Sequence, residues 1–218
     1  QLYMCSRFEN KETGESIFKK FEDDFLMLNL APKNLKQISI APSDDILVIQ
    51  KNDKQFEIKC FTWGIKFPGE KSPLIFNSRI ETISEKPYWK KLFKTSRCII
   101  PATAFYEWQS FETSGKAIKI PQKIWFEAMP LFFIAGIYVK IENGIFASLI
   151  TSPPNTTIAK IHNRMPVILS KDEAMEFLSS DENEALNFCK PLVDSIPVKI
   201  ETAEDILTDK QREFLKGK

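Results

Sequence analysis

Cys5 follows Met4 directly, and a methionine before a small residue is a natural substrate for methionine removal. With Met4 gone, Cys5 carries a thiol and a free α-amine on the same residue. The reference pKa of an α-amine is about 7.7–8.0 against about 10.4 for lysine, so near neutrality roughly a few hundred times more of it is uncharged. Such an amine condenses with an aldehyde to a Schiff base, and the neighbouring thiol closes on the imine carbon to give a five-membered thiazolidine. An internal cysteine lacks the amine and yields only a labile hemithioacetal. The alternative reading of Cys5 is a small, inert residue buried at the start of a strand.

Four other residues could serve the same chemistry. Glu107 lies in FYEW between Tyr106 and Trp108, where crowding by aromatics desolvates a carboxylate and raises its pKa toward neutrality. His162, the only histidine, stands in KIHNRMPV and offers the other natural acid or base. Asn77 supplies an amide for orientation and Arg79 a planar fork suited to phosphate. Each of these has a bland alternative: a satisfied packing histidine, or an ordinary loop. Four cysteines, Cys5, Cys60, Cys98 and Cys189, are widely spaced without a CxxC pair, and one imidazole cannot build a multi-histidine centre. No metal and no other cofactor is expected.

The remaining composition describes the frame. A chain of 218 residues with 43% hydrophobic content is large enough for one compact domain with a substantial core. Without an apolar run of about 18 residues, a membrane-spanning helix is not expected, and no basic and apolar secretory signal opens the chain. A cytoplasmic, nucleoid-associated protein is expected. The net charge of +1 does not mark a nucleic-acid binder, but its distribution is uneven. Between Asn77 and Arg97, six cations (Arg79, Lys86, Lys90, Lys91, Lys94, Arg97) face only Glu81 and Glu85, while Asp172–Asp205 is acidic. That basic stretch either follows a phosphate backbone or is a solvated helix face.

Apolar residues Ile17, Phe18, Phe21, Phe25 and Leu28 recur at helical spacing and predict an amphipathic helix after Gly14, ending before Ala31-Pro32. ISIA, ILVIQ and FEIKCF predict a small antiparallel meander between Gln37 and Phe61. Ser84 is expected to cap a helix carrying the basic residues. CIIPA, AFYEWQ, KIWFEA, LFFIAGIYV and GIFASLIT predict strands of a curved, closed or nearly closed sheet. TTIAKIH is expected to form a short helix before the strand PVIL, Ser170 to cap a helix through DEAMEFL, and NEALNFCK to form another helix before the strand IPVKI. No repeat or linker divides the chain, which predicts a single α+β domain with a largely antiparallel, barrel-like sheet flanked by short helices.

MCSRF at 4–8, IAP at 40–42, WGI at 63–65, NSRIET at 77–82, RCIIPATAFYEW at 97–108, TSPPN at 151–155 and IHNRMPVIL at 161–169 together resemble the SRAP family. These SOS response-associated proteins shield abasic sites in single-stranded DNA. The resemblance implies the SRAP fold and a site made of Cys5 as nucleophile with Asn77, Glu107 and His162. It further implies that Arg7, Arg79 and Arg164 hold phosphates, that Trp63 and Trp108 lie near the DNA path, and that the product is a thiazolidine with the ring-opened sugar aldehyde. The implied partner is single-stranded DNA containing abasic sites, bound by a monomer. Ser6 and Ser78 replace a commoner glycine and alanine, both small changes. Gln1, Leu2 and Tyr3 precede Met4, and residues 1–4 are expected to be a leader or an added remnant whose loss exposes the amine. Two rival readings stand beside this one: a cysteine hydrolase or autopeptidase that uses the same side chains, pairing Cys5 with His162, and a non-catalytic DNA-binding module that uses the basic segment and the tryptophans.

Overall fold

The computed structural model describes residues 5–21, 26–28, 35–52, 55–67, 72–113, 115–142 and 144–217. In chain order these form β1 (Arg7–Glu9), α1 (Gly14–Lys20), β2 (Leu26–Leu28), β3 (Asp45–Asn52), β4 (Gln55–Trp63), β5 (Asn77–Arg79), α2 (Ile80–Glu85), α3 (Pro87–Thr95), β6 (Arg97–Ala102), β7 (Ala104–Thr113), β8 (Lys116–Trp125), β9 (Phe132–Ile141) and β10 (Gly144–Ser152). A short 3-10 helix at Ile158–Lys160 precedes β11 (Met165–Pro166), β12 (Ile168–Leu169), α4 (Lys171–Ser179), α5 (Glu182–Phe188), β13 (Lys199–Thr202) and α6 (Asp209–Lys216).

Five strands close a barrel in the order β10-β4-β3-β6-β9 and back to β10. Four of its seams are antiparallel, and the fifth is parallel, joining β10 to β4 at Phe146↔Thr62 and Ala147↔Trp63. The expected closed sheet is therefore present, within one α+β domain. Strand alternation explains why its sequences are almost continuously apolar: successive residues point inward and outward, and both faces are covered. Ile46, Val48, Cys98, Ile100, Phe132, Ile134, Ala147 and Leu149 fill the interior. Their neighbours Leu47, Ile49, Ile99, Phe133, Ala135 and Ile137 face outward beneath Ile17 of α1, Ile83 of α2, Leu92 and Phe93 of α3 and Phe177 of α4. Gly136 lets the interior close, because a Cβ there would lie 2.6 Å from Ile100 Cδ1.

A second, antiparallel sheet runs β1-β7-β8-β13. Its Phe105 and Ile124 belong to the same apolar cluster as the barrel interior, so this sheet is fixed against the barrel. Strand β1 lies along β7 in the register Arg7↔Tyr106, Phe8↔Phe105, Glu9↔Ala104, which carries the preceding Cys5 toward Glu107.

Three local expectations are corrected. The first helix ends at Lys20, with Phe21 at its C-cap; Leu28 lies in β2, parallel to β4, and Phe25 falls outside the described residues. The run ISIA contributes only an isolated bridge, Ile40 to Phe8, because its partner β1 is three residues long. Ser84 is inside α2, where its hydroxyl donates to the Ile80 carbonyl; the basic helix starts one residue after Lys86, with Pro87 in its first turn. Ser170 caps α4 as expected, in a reciprocal pair with Glu173.

Candidate functional site

Strand β7 delivers Glu107 into the apolar interior, where the residue is 0% exposed. The Cys5 main-chain N–H donates to Glu107 Oε1 at 2.8 Å, and Oε2 accepts no hydrogen bond among the described residues. Burial pushes the Glu107 carboxyl up to about 8, against an opposing effect of the Cys5 N–H. The carboxyl thus holds its proton through most of the neutral range while remaining able to release it, as its aromatic surroundings in the sequence suggest.

Cys5 is itself 0% exposed and adopts φ = +32°, in the left-handed region. The Asn77 Nδ2 donates to the Cys5 carbonyl at 3.4 Å, from β5 on the far side of the residue. Glu107 and Asn77 therefore grip the two main-chain polar groups of Cys5 and leave its side chain unengaged by either bond. Burial and the nearby Glu107 carboxylate raise the thiol well above its ordinary value, so Cys5 is a thiol and not a thiolate.

His162 follows the 3-10 helix, whose first residue, Ile158, donates its N–H to Asn155 Oδ1 at 3.0 Å. Its Nδ1 lies 3.8 Å from Glu107 Oε2 and accepts the Arg164 main-chain N–H at 3.2 Å. Burial lowers the His162 pKa, so near neutrality the ring is neutral and carries its proton on Nε2. Cys5, Asn77, Glu107 and His162, drawn from four separate segments, are thus brought around one point.

The basic and aromatic residues divide differently. Arg79 is exposed at the end of β5, two residues from Asn77. Arg7 is half-buried and donates to the Ser39 Oγ at 2.5 Å and its carbonyl at 3.3 Å. Arg164 is paired internally: Nη1 and Nη2 grip the Glu81 carboxylate at 2.6 and 2.9 Å, and Nη2 also reaches the Thr151 carbonyl at 2.6 Å. An arginine with its fork so occupied is not presented to an incoming phosphate as the resemblance implied.

Trp63 is a clear correction. It is 0% exposed, donates its indole N–H to the Phe76 carbonyl at 2.9 Å, and meets Phe8 edge-on at 5.1 Å. A ring enclosed on every side cannot stack on a base; its place is beneath the site, joining the segments that present Cys5 and Asn77. Trp108 is half-buried, and regular pairing through β7 puts it on the opposite sheet face from Glu107. Sequence reasoning assigned no role to Glu81, although it lies in the NSRIET segment, because its partner is 83 residues away.

Among the described residues no group of three or more His, Cys, Asp or Glu side chains could hold a metal ion, and no helix is long and apolar enough to cross a membrane.

Comparison with known proteins gives the family of the chain. The chain is 35% identical over 187 residues to the abasic site processing protein YoaM of Bacillus subtilis, covering 81% of this chain and 79% of that one. It is 26% identical to the abasic site processing protein YedK of Escherichia coli, over 82% and 81% of the two chains. Among solved structures, a protein from Bacteroides thetaiotaomicron shares the fold with a TM-score of 0.68 at 22% identity, covering 99% of this chain and 93% of that one. A phage-related protein from Bordetella bronchiseptica does so with a TM-score of 0.71 at 21% identity, covering 92% and 94%. The family model for SOS response associated peptidase matches residues 4–204, and the chain belongs to this SRAP family.

Proposed function

We propose that this protein processes abasic sites in DNA, and that it does so by capturing the ring-opened C1′ aldehyde of the lesion in single-stranded DNA on the amine and thiol of Cys5. The observation that carries the reading is the 2.8 Å bond from the Cys5 main-chain nitrogen to a Glu107 carboxyl poised at about 8. The names of the relatives, abasic site processing proteins, point to the same substrate.

In this mechanism the α-amine of Cys5, freed of residues 1–4, adds to the aldehyde carbon. The carbonyl oxygen leaves as water, with Glu107 passing the protons. The thiol then adds across the C=N bond, its sulfur to carbon and its proton, through the carboxylate, to nitrogen. Asn77 holds the Cys5 carbonyl so that the amine faces Glu107, and the Nε2–H of His162 assists opening of the sugar ring. Arg79 and Arg7 meet the phosphates.

The acyl-transfer alternative needs a Cys5 thiolate beside an imidazolium. Burial drives both groups the other way, the thiol upward and the imidazole downward. Aldehyde capture starts from an amine and suits this environment.

Protein beginning at Cys5 is expected to give a heat-stable covalent species with single-stranded DNA containing an abasic site, seen by denaturing gel and mass spectrometry. Protein retaining residues 1–4 is expected to give none. Absence of the species from both samples overturns the function, and equal yield from both overturns the role of the amine.

A further inference from the structure

We infer that Glu81 is a positioning residue for the proposed chemistry: it clamps Arg164, and the Arg164 main-chain N–H in turn fixes the tautomer of His162. The inference rests on the role given to His162 above.

The argument begins with the donors of Arg164. Its side chain is only 11% exposed, its Nε has no partner among the described residues, and its fork is held by Glu81 and Thr151. The guanidinium is therefore secured at its far end alone. Without the Glu81 carboxylate, a mostly buried cation would keep one carbonyl as its main partner, and its route to solvation is to swing outward. Residue 164 would move with it.

That movement reaches the site through a single bond. The Arg164 N–H donates to His162 Nδ1 at 3.2 Å, which obliges Nδ1 to be the acceptor and Nε2 to carry the proton. Were this donor withdrawn, the proton would be free to occupy Nδ1 and to bond with Glu107 Oε2, now 3.8 Å away and accepting no hydrogen bond among the described residues. The two acid–base groups would then bond to one another instead of facing substrate.

The clamp also spans the strands that surround the site. Glu81 lies in α2 directly after β5, the strand of Asn77 and Arg79. Thr151 stands opposite Arg79 across the β5–β10 pairing and opposite Pro166 across β10–β11. One guanidinium thus ties together α2, β10 and the segment carrying His162. Arg164 and Glu81 hold opposite charges and the lowered pKa of Glu81, caused first by its hydrogen bond to Arg164, keeps the clamp ionised near neutrality.

Because His162 is the only histidine, its side-chain nitrogens can be read directly in uniformly 15N-labelled protein. The intact protein is expected to show the Nε2–H tautomer alone. Glu81→Ala and Glu81→Gln are expected to show a mixture, larger for alanine, and adduct formation at saturating DNA is expected to slow roughly tenfold in the alanine variant. In an Arg164→Ala background, Glu81→Ala is expected to add nothing further. An unmixed tautomer in a folded Glu81→Ala protein overturns the inference; should that variant fail to fold, Glu81→Gln decides by the same spectrum. If intact protein begins at Cys5 and forms no adduct at all, the proposed function falls, while the tautomer still decides whether Glu81 positions His162.

Discussion

Two buried carboxylates flank the same pair of strands and behave oppositely. Glu9 on β1 is 3% exposed and Glu107 on β7 is 0% exposed. Glu9 meets Lys123 Nζ at 3.1 Å, Lys11 Nζ at 3.3 Å, the Tyr106 hydroxyl at 3.3 Å and the Thr103 hydroxyl at 3.3 Å. Burial alone would raise its pKa, but Lys123 and Lys11 outweigh burial and hold the carboxyl below its ordinary value. Glu107 is raised by burial to about 8, and main-chain N–H groups and the charge of Lys119 oppose that rise only in part. Loss of solvent is common to both, and direct contact with a lysine ammonium decides which of them is charged. Tyr106 and Glu107 are adjacent on β7, so the side-chain alternation of one strand separates an ion cluster from the buried carboxyl to which the proposed mechanism gives proton transfer.

The largest effect is expected where the under-paired carboxyl is altered. Glu107→Gln keeps the shape and the Cys5 contact but cannot accept or release a proton, and adduct formation should slow about a hundredfold in single-turnover assays. A rate within twofold of the unaltered protein would show that the raised pKa has no part in the reaction. Next in size, Glu9→Gln leaves Lys123, itself largely buried, without its anion, and should lower stability by about 2 kcal/mol in chemical denaturation at pH 7. Because the Glu9 pKa is depressed on folding, this difference is present above the ordinary carboxyl value and should vanish as pH falls through the folded value.

Glu107→Gln should show the opposite pH dependence in stability, measured on protein with Cys5 in peptide linkage. Between 4.5 and about 8 the folded chain retains a proton that the unfolded chain has lost, so the unaltered protein loses stability as pH rises through that window. The glutamine variant, always neutral, should gain in relative thermal midpoint over the same range; parallel profiles would disprove the raised pKa. The smallest effect concerns the surface: Arg79→Ala should weaken binding of any single-stranded sequence equally and reduce the salt slope by about one. A sequence-dependent loss would mean that Arg79 reads bases.

The outline of both regions was legible in the chain for different reasons. The barrel strands announce themselves as β-branched and aromatic runs, because two covered faces demand nearly continuous apolar sequence. Glu107 was equally legible, since aromatic neighbours along a strand already imply a desolvated carboxyl. Where local signals were ambiguous the reading failed: Leu26–Leu28 fits a helical stripe or a short strand, and only its parallel pairing to β4 settles the matter. The family resemblance put Trp63 near the DNA path, but its burial is set by Phe8 and Phe76, distant in sequence. Glu9 and Glu81 were invisible for the same reason, since the more enclosed cation of Glu9, Lys123, and that of Glu81, Arg164, lie 114 and 83 positions away.

The conformation of Cys5 bears on the proposed use of its amine. A positive φ is costly for an L-residue chiefly because the carbonyl oxygen of the preceding peptide crowds its Cβ, an expense of about 1–2 kcal/mol. An amino-terminal residue has no preceding carbonyl and escapes this crowding entirely. The folded protein therefore stores a small spring against whatever is joined to the nitrogen of Cys5. In the proposed reaction, which needs residues 1–4 removed, their loss would relieve this crowding, so the same backbone twist that sets Cys5 against Glu107 would favour the trimmed form.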